Sequence, residues 1–169
     1  YTYTRIGADA FRDTDLRSVT IPDTVTHIEE YAFNRTKLTS VIIPASVTNI
    51  ARLAFRGGYC DEYWDDINED YYEDCRKLDQ VVFADGSQLE TIGRDSFSNN
   101  NLTSLDLPDS VISIGGSAFA DNTNLVAVDF GESLVSIDDY AFEGCSSLTT
   151  ITFPDTLESI GYGAFAYTA

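Results

Sequence analysis

The chain has 169 residues, of which 28 are acidic and 10 are lysine or arginine, so its formal net charge is −18. A hydrophobic content of 43% is enough for a buried core and excludes a wholly disordered chain. The scarcity of cations argues against nucleic-acid or anionic-lipid partners, and no apolar run approaches the roughly 20 residues that a membrane-spanning helix needs. Because the sequence contains no Met, we expect a processed form or a segment of a longer protein.

Isoleucine and phenylalanine recur at regular intervals along the chain. The isoleucines follow one another after 22, 22, 42, 22, 23 and 23 residues, and a phenylalanine comes five residues after each of them. Such self-similarity is typical of a solenoid, whose coils bury their apolar faces only against one another. We therefore expect these side chains to share one dry interior. The pairs are Ile6 and Phe11, Ile28 and Phe33, Ile50 and Phe55, Ile92 and Phe97, Ile114 and Phe119, Ile137 and Phe142, and Ile160 and Phe165.

An L-x-x-V-x-I element follows the phenylalanine in the repeat, as in Leu16, Val19 and Ile21. Its alternation of apolar and polar residues predicts a short strand with one face inside. Proline ends such a strand because it cannot donate a ladder hydrogen bond. The segment between isoleucine and phenylalanine, such as residues 7–11, is too short for a long helix, and we expect a helical turn there. The prolines that follow the strand element are Pro22, Pro44, Pro108 and Pro154.

The repeat reads L-x-S-V-x-I-P-x-S/T-V-x-x-I-x-x-x-A-F, and residues 141–161 (AFEGCSSLTTITFPDTLESIG) form one complete unit. This pattern resembles the BspA-like (Treponema-type) leucine-rich repeat over nearly the whole chain except residues 56–77. The resemblance implies one mainly β solenoid over residues 1–169, a right-handed superhelix of about seven coils with short helical turns. It also implies a secreted or surface-displayed protein that adheres to other proteins, cells or surfaces without catalysis.

We use the term strand face for the outward-pointing residues of the L-x-x-V-x-I elements. They are small and mostly polar, with Ile42 and Val82 as an apolar centre and Asp106 and Asp129 as acids. In leucine-rich repeats this face often binds ligands, but short β-branched residues also simply suit an exposed strand, and both interpretations stay open. The strand face comprises Ser18, Thr20, Ser40, Ile42, Gln80, Val82, Ser104, Asp106, Ala127, Asp129, Thr150 and Thr152.

The third repeat carries an insertion, residues 56–77, which we call the flap. Eight carboxylates lie between Tyr59 and Cys75 without a cation among them, together with the only Trp. Two conformations compete. The spacing of its cysteines, aromatics and Ile67 favours an amphipathic helix. A disulfide between Cys60 and Cys75 instead requires the chain to double back near Asn68, because a continuous helix would hold the cysteines roughly 22 Å apart. For a secreted protein we favour the disulfide.

Three interpretations of the flap's role stay open: a solvated acidic segment, a weak calcium site, and a surface that recognises a basic protein partner. The pattern Asp66-x-Asn68-x-Asp70 is like the start of an EF-hand loop, but Tyr71 stands where the loop needs Gly and Lys77 where it needs Glu. We therefore predict no built metal site and no other cofactor. The recognition surface would comprise Tyr63, Trp64, Asp65, Asp66, Tyr71 and Tyr72.

The remaining candidate residues are isolated ones. His27 is the single histidine and occupies a slot filled in other repeats by small polar residues, so nothing in the sequence pairs with it for catalysis. Cys145 matches a small buried position and is interpreted as a core thiol. Asn34 and Asn101 begin N-glycosylation sequons in loops where we expect exposure, and they matter only if a eukaryote secretes the protein.

These features lead to two functional hypotheses. The first is a non-catalytic extracellular or cell-surface module that recognises a protein or glycan through the strand face and the flap. The second is a structural unit that stacks head to tail in an extracellular filament or surface layer, which is a non-closing contact between unlike surfaces. Neither hypothesis needs a nucleic acid, a cofactor or insertion into a membrane.

Overall fold

The computed structural model describes residues 3–58, 61–65, 70–74 and 77–169. Within these residues the regular elements are short β-strands joined by turns, and no helix is long and apolar enough to cross a membrane. The strands are β1 Arg5–Ile6, β2 His27–Ile28, β3 Ser40–Ile43, β4 Asn49–Ile50, β5 Asp61–Asp65, β6 Asp70–Asp74, β7 Gln80–Phe83, β8 Thr91–Ile92, β9 Ser104–Asp106, β10 Ser113–Ile114, β11 Ala127–Asp129, β12 Ser136–Ile137 and β13 Ser159–Ile160.

The recurring isoleucines build one parallel sheet along the molecule. Its strand order is β1-β2-β4-β8-β10-β12-β13, so each strand pairs with the corresponding strand of the neighbouring coil. The register makes the isoleucines Cα partners from coil to coil, as with Ile6 and Ile28 or Ile114 and Ile137. On another side of each coil, β3 pairs with β7 and β9 pairs with β11, again in parallel. The chain is therefore a solenoid, as the repeat predicts.

The recurring phenylalanines form a continuous stack of rings through the interior. Successive rings, from Phe11 to Phe165, have centroids 5.0–5.4 Å apart and interplanar angles of 2–13°. Such nearly parallel rings at this separation are offset stacks, which add about 0.5–1.5 kcal/mol per pair to the gain from burial. Phe33, Phe97 and Phe142 are at most 1% exposed and belong to one hydrophobic core. The prediction of a shared dry interior is confirmed.

The segments between isoleucine and phenylalanine form consecutive turns rather than the expected helical turn. In the first coil the Ala10 amide donates to the Gly7 carbonyl oxygen (3.3 Å), and Asp9 has a φ of 55°. A positive φ at the third position is what a type II turn requires. The next amide, that of Phe11, donates instead to the Ala32 carbonyl oxygen of the following coil (2.8 Å). A helix would keep these amides within one coil and leave none to join its neighbour.

Two buried asparagines complete the hydrogen bonding of the interior. The Asn100 side chain is 2% exposed, and its Nδ2 donates to the carbonyl oxygens of Phe97 (3.0 Å) and Phe55 (2.8 Å). Its Oδ1 accepts from the Leu78 amide (2.9 Å). Asn122 repeats this arrangement one coil later. Each asparagine therefore supplies hydrogen bonds to buried backbone groups of two adjacent coils.

Cys145 occupies the equivalent position in the next coil, where an asparagine is not required. The Leu125 amide of the preceding coil already donates to the Asn122 carbonyl oxygen (3.0 Å) in a local turn, because the longer coil carries one more residue there. A thiol is then sufficient, and Cys145 Sγ donates to the Phe119 carbonyl oxygen (3.3 Å). The side chain is 0% exposed, which confirms the core thiol, and burial raises the pKa of the Cys145 thiol to about 12.

The flap contains two antiparallel strands, β5 and β6, so the helical interpretation is wrong. The register pairs Asp61 with Asp74 at one end and Asp65 with Asp70 at the other. Aromatic residues favour extended chain, and the register places Tyr63, Trp64, Tyr71 and Tyr72 in two cross-strand pairs. The chain therefore doubles back, as the disulfide hypothesis requires. Cys60, Cys75, Asp66 and Asn68 themselves lie outside the described residues.

Candidate binding face

The strand face points outward as the alternation predicts. Along β3, Ser40 and Ile42 are exposed, whereas Val41 (3% exposed) and Ile43 (0% exposed) belong to the core. Every predicted member of the strand face is exposed, including those in the first and last coils, which lie outside the assigned strands. The repeat itself fixes this geometry, because inward positions must be apolar while outward positions are free to vary.

Two large apolar side chains lie side by side at the centre of the strand face. Ile42 and Val82 are Cα partners in β3 and β7, and they are 64% and 40% exposed. A hollow of about 260 Å³ adjoins Ile42 and is lined in part by Val19 and Pro44. Because Ile42 and Val82 are neighbours on adjacent strands, they form one exposed apolar surface beside this hollow. A partner that covered this surface would remove both side chains from water.

An acidic pair continues the same row. Strand β9, which contacts β7, places Asp106 as the Cα partner of Asp129 in β11. Neighbouring strands lie about 4.8 Å apart, so the two carboxylates repel each other and a cationic group placed between them would be favoured. Asp85 and Asp109 line a hollow of about 300 Å³ beside Asp106. The sequence interpretation missed both residues, although each lies two positions after the end of the strand element in its repeat.

The charge of the solenoid changes along its axis. Residues 1–58 carry seven basic and six acidic side chains, whereas residues 95–169 carry eleven acidic side chains and no basic one. In the first part of the solenoid, cations pair with acids of adjacent coils, as in Arg5–Glu29 (2.6 Å) and Arg52–Glu30 (2.9 Å). The part that contains Asp106 and Asp129 has no such compensation, so its field attracts cationic partners.

The flap adds to the acidic character of the chain, because its two strands oppose carboxylic residues. Three of its five cross-strand partners are pairs of carboxylic residues, namely Asp61 with Asp74, Glu62 with Glu73 and Asp65 with Asp70. Like charges in directly opposed positions destabilise a hairpin. The flap directly precedes β7, the strand that carries Val82.

Within the described part of the chain, no group of three or more His, Cys, Asp or Glu side chains is arranged to hold a metal ion.

The structure corrects one of the predicted glycosylation sites. Asn34 is only 2% exposed, so the expectation of exposure is wrong there. The reason is that the coils on either side cover it, and its carbonyl oxygen accepts from the Asp13 amide of the preceding coil (2.9 Å). Asn101 is half-buried, its Nδ2 donates to Asp79 (3.2 Å), and its Oδ1 accepts from Asn124 (3.0 Å).

His27 lies in the isoleucine sheet rather than on the strand face. It is half-buried, and its Nδ1 lies 2.9 Å from Thr26 Oγ1. Its Cα partners in the adjacent strands are Arg5 and Asn49. The imidazole therefore occupies a polar slot of the repeat, which is the location predicted for it.

A family model described as the BspA type leucine-rich repeat region matches residues 1–63 and 65–169 in six copies. The chain belongs to this family. BspA type leucine-rich repeats therefore account for the isoleucine sheet, the phenylalanine stack and the outward strand face. No curated protein sequence matches the chain.

Solved structures of bacterial leucine-rich repeat proteins share the fold. One from Eubacterium ventriosum has a TM-score of 0.73 at 23% identity over 98% of this chain and 40% of its own. The pneumococcal vaccine antigen PcpA has a TM-score of 0.66 at 26% identity, over 98% of this chain and 34% of its own. A leucine rich cell surface protein from Faecalibacterium prausnitzii has a TM-score of 0.53 at 31% identity, over 96% and 48%. The chain thus spans less than half of each of these proteins.

Proposed function

We propose that this chain is a non-catalytic binding module of the cell surface, and that its strand face recognises a protein partner. The observation that carries the proposal is the row in which the exposed pair Ile42 and Val82 adjoins the exposed pair Asp106 and Asp129. Membership of the BspA type family and the likeness to a leucine rich cell surface protein support the location and the general role in binding or adhesion. The right-handed superhelix of about seven coils implied by the family resemblance is part of this proposal.

The chemistry of the row defines the partner. Covering Ile42 and Val82 requires aliphatic or aromatic side chains, and the adjoining Asp106 and Asp129 require Lys or Arg. A protein segment that carries basic residues next to apolar ones satisfies both conditions. The apolar contact would supply most of the affinity, while the uncompensated acidic coils would accelerate association and select against acidic partners. The acidic flap, which directly precedes Val82 in β7, would extend the same preference.

The test is binding to an array of purified extracellular proteins that differ in isoelectric point, measured at low and at physiological salt. We expect retention of basic proteins, with weaker binding at higher salt. Ile42→Thr with Val82→Thr, and separately Asp106→Asn with Asp129→Asn, should each reduce binding at least tenfold. Matched controls are Ile112→Thr, at a position that is 44% exposed off the strand face, and Asp155→Asn. Equal losses in the control variants, or binding unaffected by the strand-face variants, would contradict the proposal.

A further inference from the structure

The turn side of the solenoid contains a hollow of about 480 Å³ that spans three coils. Its floor is Gly116 and Ser117, and its walls are Arg94 in the preceding coil and Asp139 and Tyr140 in the following one. The hollow exists because the middle coil has two small residues where its neighbours have Arg94 and Asp95, or Asp139 and Tyr140. It lies in the turns next to the isoleucine sheet, so it is separate from the strand face.

The backbone does not require glycine at position 116. Gly116 has no positive φ, and a Cβ added there would meet only the Asp139 carbonyl oxygen, at 3.2 Å. Gly115 is different, because a Cβ on it would lie 2.8 Å from the Arg94 amide nitrogen, so close packing of the coils explains that residue. The open floor of the hollow is thus a property of the side chains chosen at 116 and 117 and does not follow from the fold.

The Tyr140 ring is held firmly as one wall. It is 36% exposed, and it lies against Gly163 of the next coil, where an added Cβ would be 2.8 Å from Tyr140 Cε1. Tyr162 packs on it edge to face, with centroids 5.5 Å apart and an interplanar angle of 80°. Asp139 Oδ1 accepts from the Tyr162 amide (2.7 Å), which fixes this carboxylate beside the ring. A fixed aromatic ring next to a fixed carboxylate is a preorganised pair.

The opposite wall supplies a donor. The Arg94 side chain is 70% exposed, and its contact with Asp95 is long (3.4 Å). Guanidinium groups donate several hydrogen bonds, whereas carboxylates accept them. A ligand that fits must therefore offer an apolar face to Tyr140, hydroxyl donors to the carboxylate and oxygen acceptors to Arg94. A pyranose ring combines these features, since its axial C–H groups form an apolar face and its rim carries hydroxyls.

We propose that this hollow is a monosaccharide-binding site that takes one pyranose unit of a glycan. It is independent of protein recognition on the strand face. The probes are the methyl glycosides of glucose, galactose and mannose, titrated into the ¹⁵N-labelled chain and followed by amide chemical shifts. We expect at least one of them to shift the Gly115, Gly116 and Ser117 amides, with a dissociation constant on the order of 1 mM, as suits a ligand of about a dozen heavy atoms.

Three variants make the test specific. Ser117→Tyr fills the hollow without backbone strain, because Tyr31 and Tyr140 adopt the same positive φ (58° and 60°) at this position of their own coils. It should abolish the shifts. Tyr140→Ala should weaken binding at least tenfold, whereas Tyr140→Phe should retain it. The matched control is Tyr31→Ala, since that ring lies between Arg12 and Arg52, with guanidinium carbons 4.7 and 5.7 Å from its centroid. Shifts that map elsewhere, or that survive Ser117→Tyr in a folded protein, would overturn the proposal, as would no shift with any glycoside.

Discussion

Asn122 Oδ1 accepts a hydrogen bond from the Leu102 amide at 3.3 Å, although the two residues are 20 positions apart in the chain. The same side chain donates to the Phe97 and Phe119 carbonyl oxygens (3.0 and 2.8 Å) in the fully buried interior. One asparagine therefore joins the backbones of two coils where water cannot reach them.

Asn122→Ala should destabilise the chain by about 2 kcal/mol, because the buried Leu102 amide loses its acceptor, while the Phe97 and Phe119 carbonyl oxygens keep their bonds to Asn100 and Cys145. Urea denaturation followed by circular dichroism measures this loss as a lower midpoint with an unchanged slope. The control is Asn124→Ala, which removes a single exposed hydrogen bond to Asn101 (3.0 Å) and should change stability by less than about 0.5 kcal/mol. Equal effects of the two substitutions would mean that the buried network contributes nothing.

Ser96 offers the opposite case, a buried hydroxyl without a partner among the described residues. Its side chain is 0% exposed, and its Oγ makes no hydrogen bond within this part of the chain. The other coils carry alanine at this position. We expect Ser96→Ala to stabilise the chain by about 1 kcal/mol, since it removes the cost of burying an unsatisfied polar atom.

Ser98 provides the matched comparison for that gain. It is 4% exposed, but its Oγ donates to the Asp95 carbonyl oxygen (3.1 Å). Ser98→Ala should therefore lower the free energy of unfolding, by about 1 kcal/mol. Thermal and urea unfolding of the two variants side by side decide the matter, and a loss of stability in Ser96→Ala would show that its hydroxyl does have a partner.

We predict that Cys60 and Cys75 form a disulfide. Both lie outside the described residues, but Cys60 directly precedes Asp61 and Cys75 directly follows Asp74, and these two aspartates are Cα partners. Continuing the ladder by one pair would bring the cysteines opposite each other, and closing a loop of 15 residues contributes about 3 kcal/mol in the chain-entropy model. Iodoacetamide labelling in urea should modify one thiol, Cys145, before reduction and three afterwards. Three labels before reduction would contradict the bond.

The interior was predictable from the sequence because stacking forces each coil to repeat the same apolar positions. Phe33, Phe97 and Phe142 could be placed in one column from their spacing, and Ile42 and Val82 could be placed outside from the alternation. The turns were less accessible. Tyr31 and Leu53 adopt positive φ (58° and 59°) without being glycine, so local sequence carries no signal of a left-handed residue there.

Features that depend on neighbouring coils were harder still. In the flap, the cysteines and aromatics fit a helical period, and only the cross-strand pairing of Tyr63 with Tyr72 shows the extended alternative. The hollow over Gly116 can be recognised only when Arg94 of the preceding coil and Tyr140 of the following coil are considered together. Asn34 was expected at the surface because it lies in a loop after Phe33. Its burial depends on neighbouring coils, which the local sequence does not show.

The Cys145 thiol makes stability depend on pH in the alkaline range. Its pKa is raised by burial from 9.0 to about 12, so the folded chain keeps the proton where the unfolded chain releases it. The stabilising difference is complete below pH 9 and is lost as the pH rises from 9 towards 12. Between pH 8 and about pH 10.5 the free energy of unfolding should fall by about 2 kcal/mol from this group. Urea midpoints of the wild type and of Cys145→Ala at both pH values isolate the contribution of the thiol, because the other groups titrate alike in both proteins. An identical pH dependence in the two would show that the thiol ionises as readily in the folded chain.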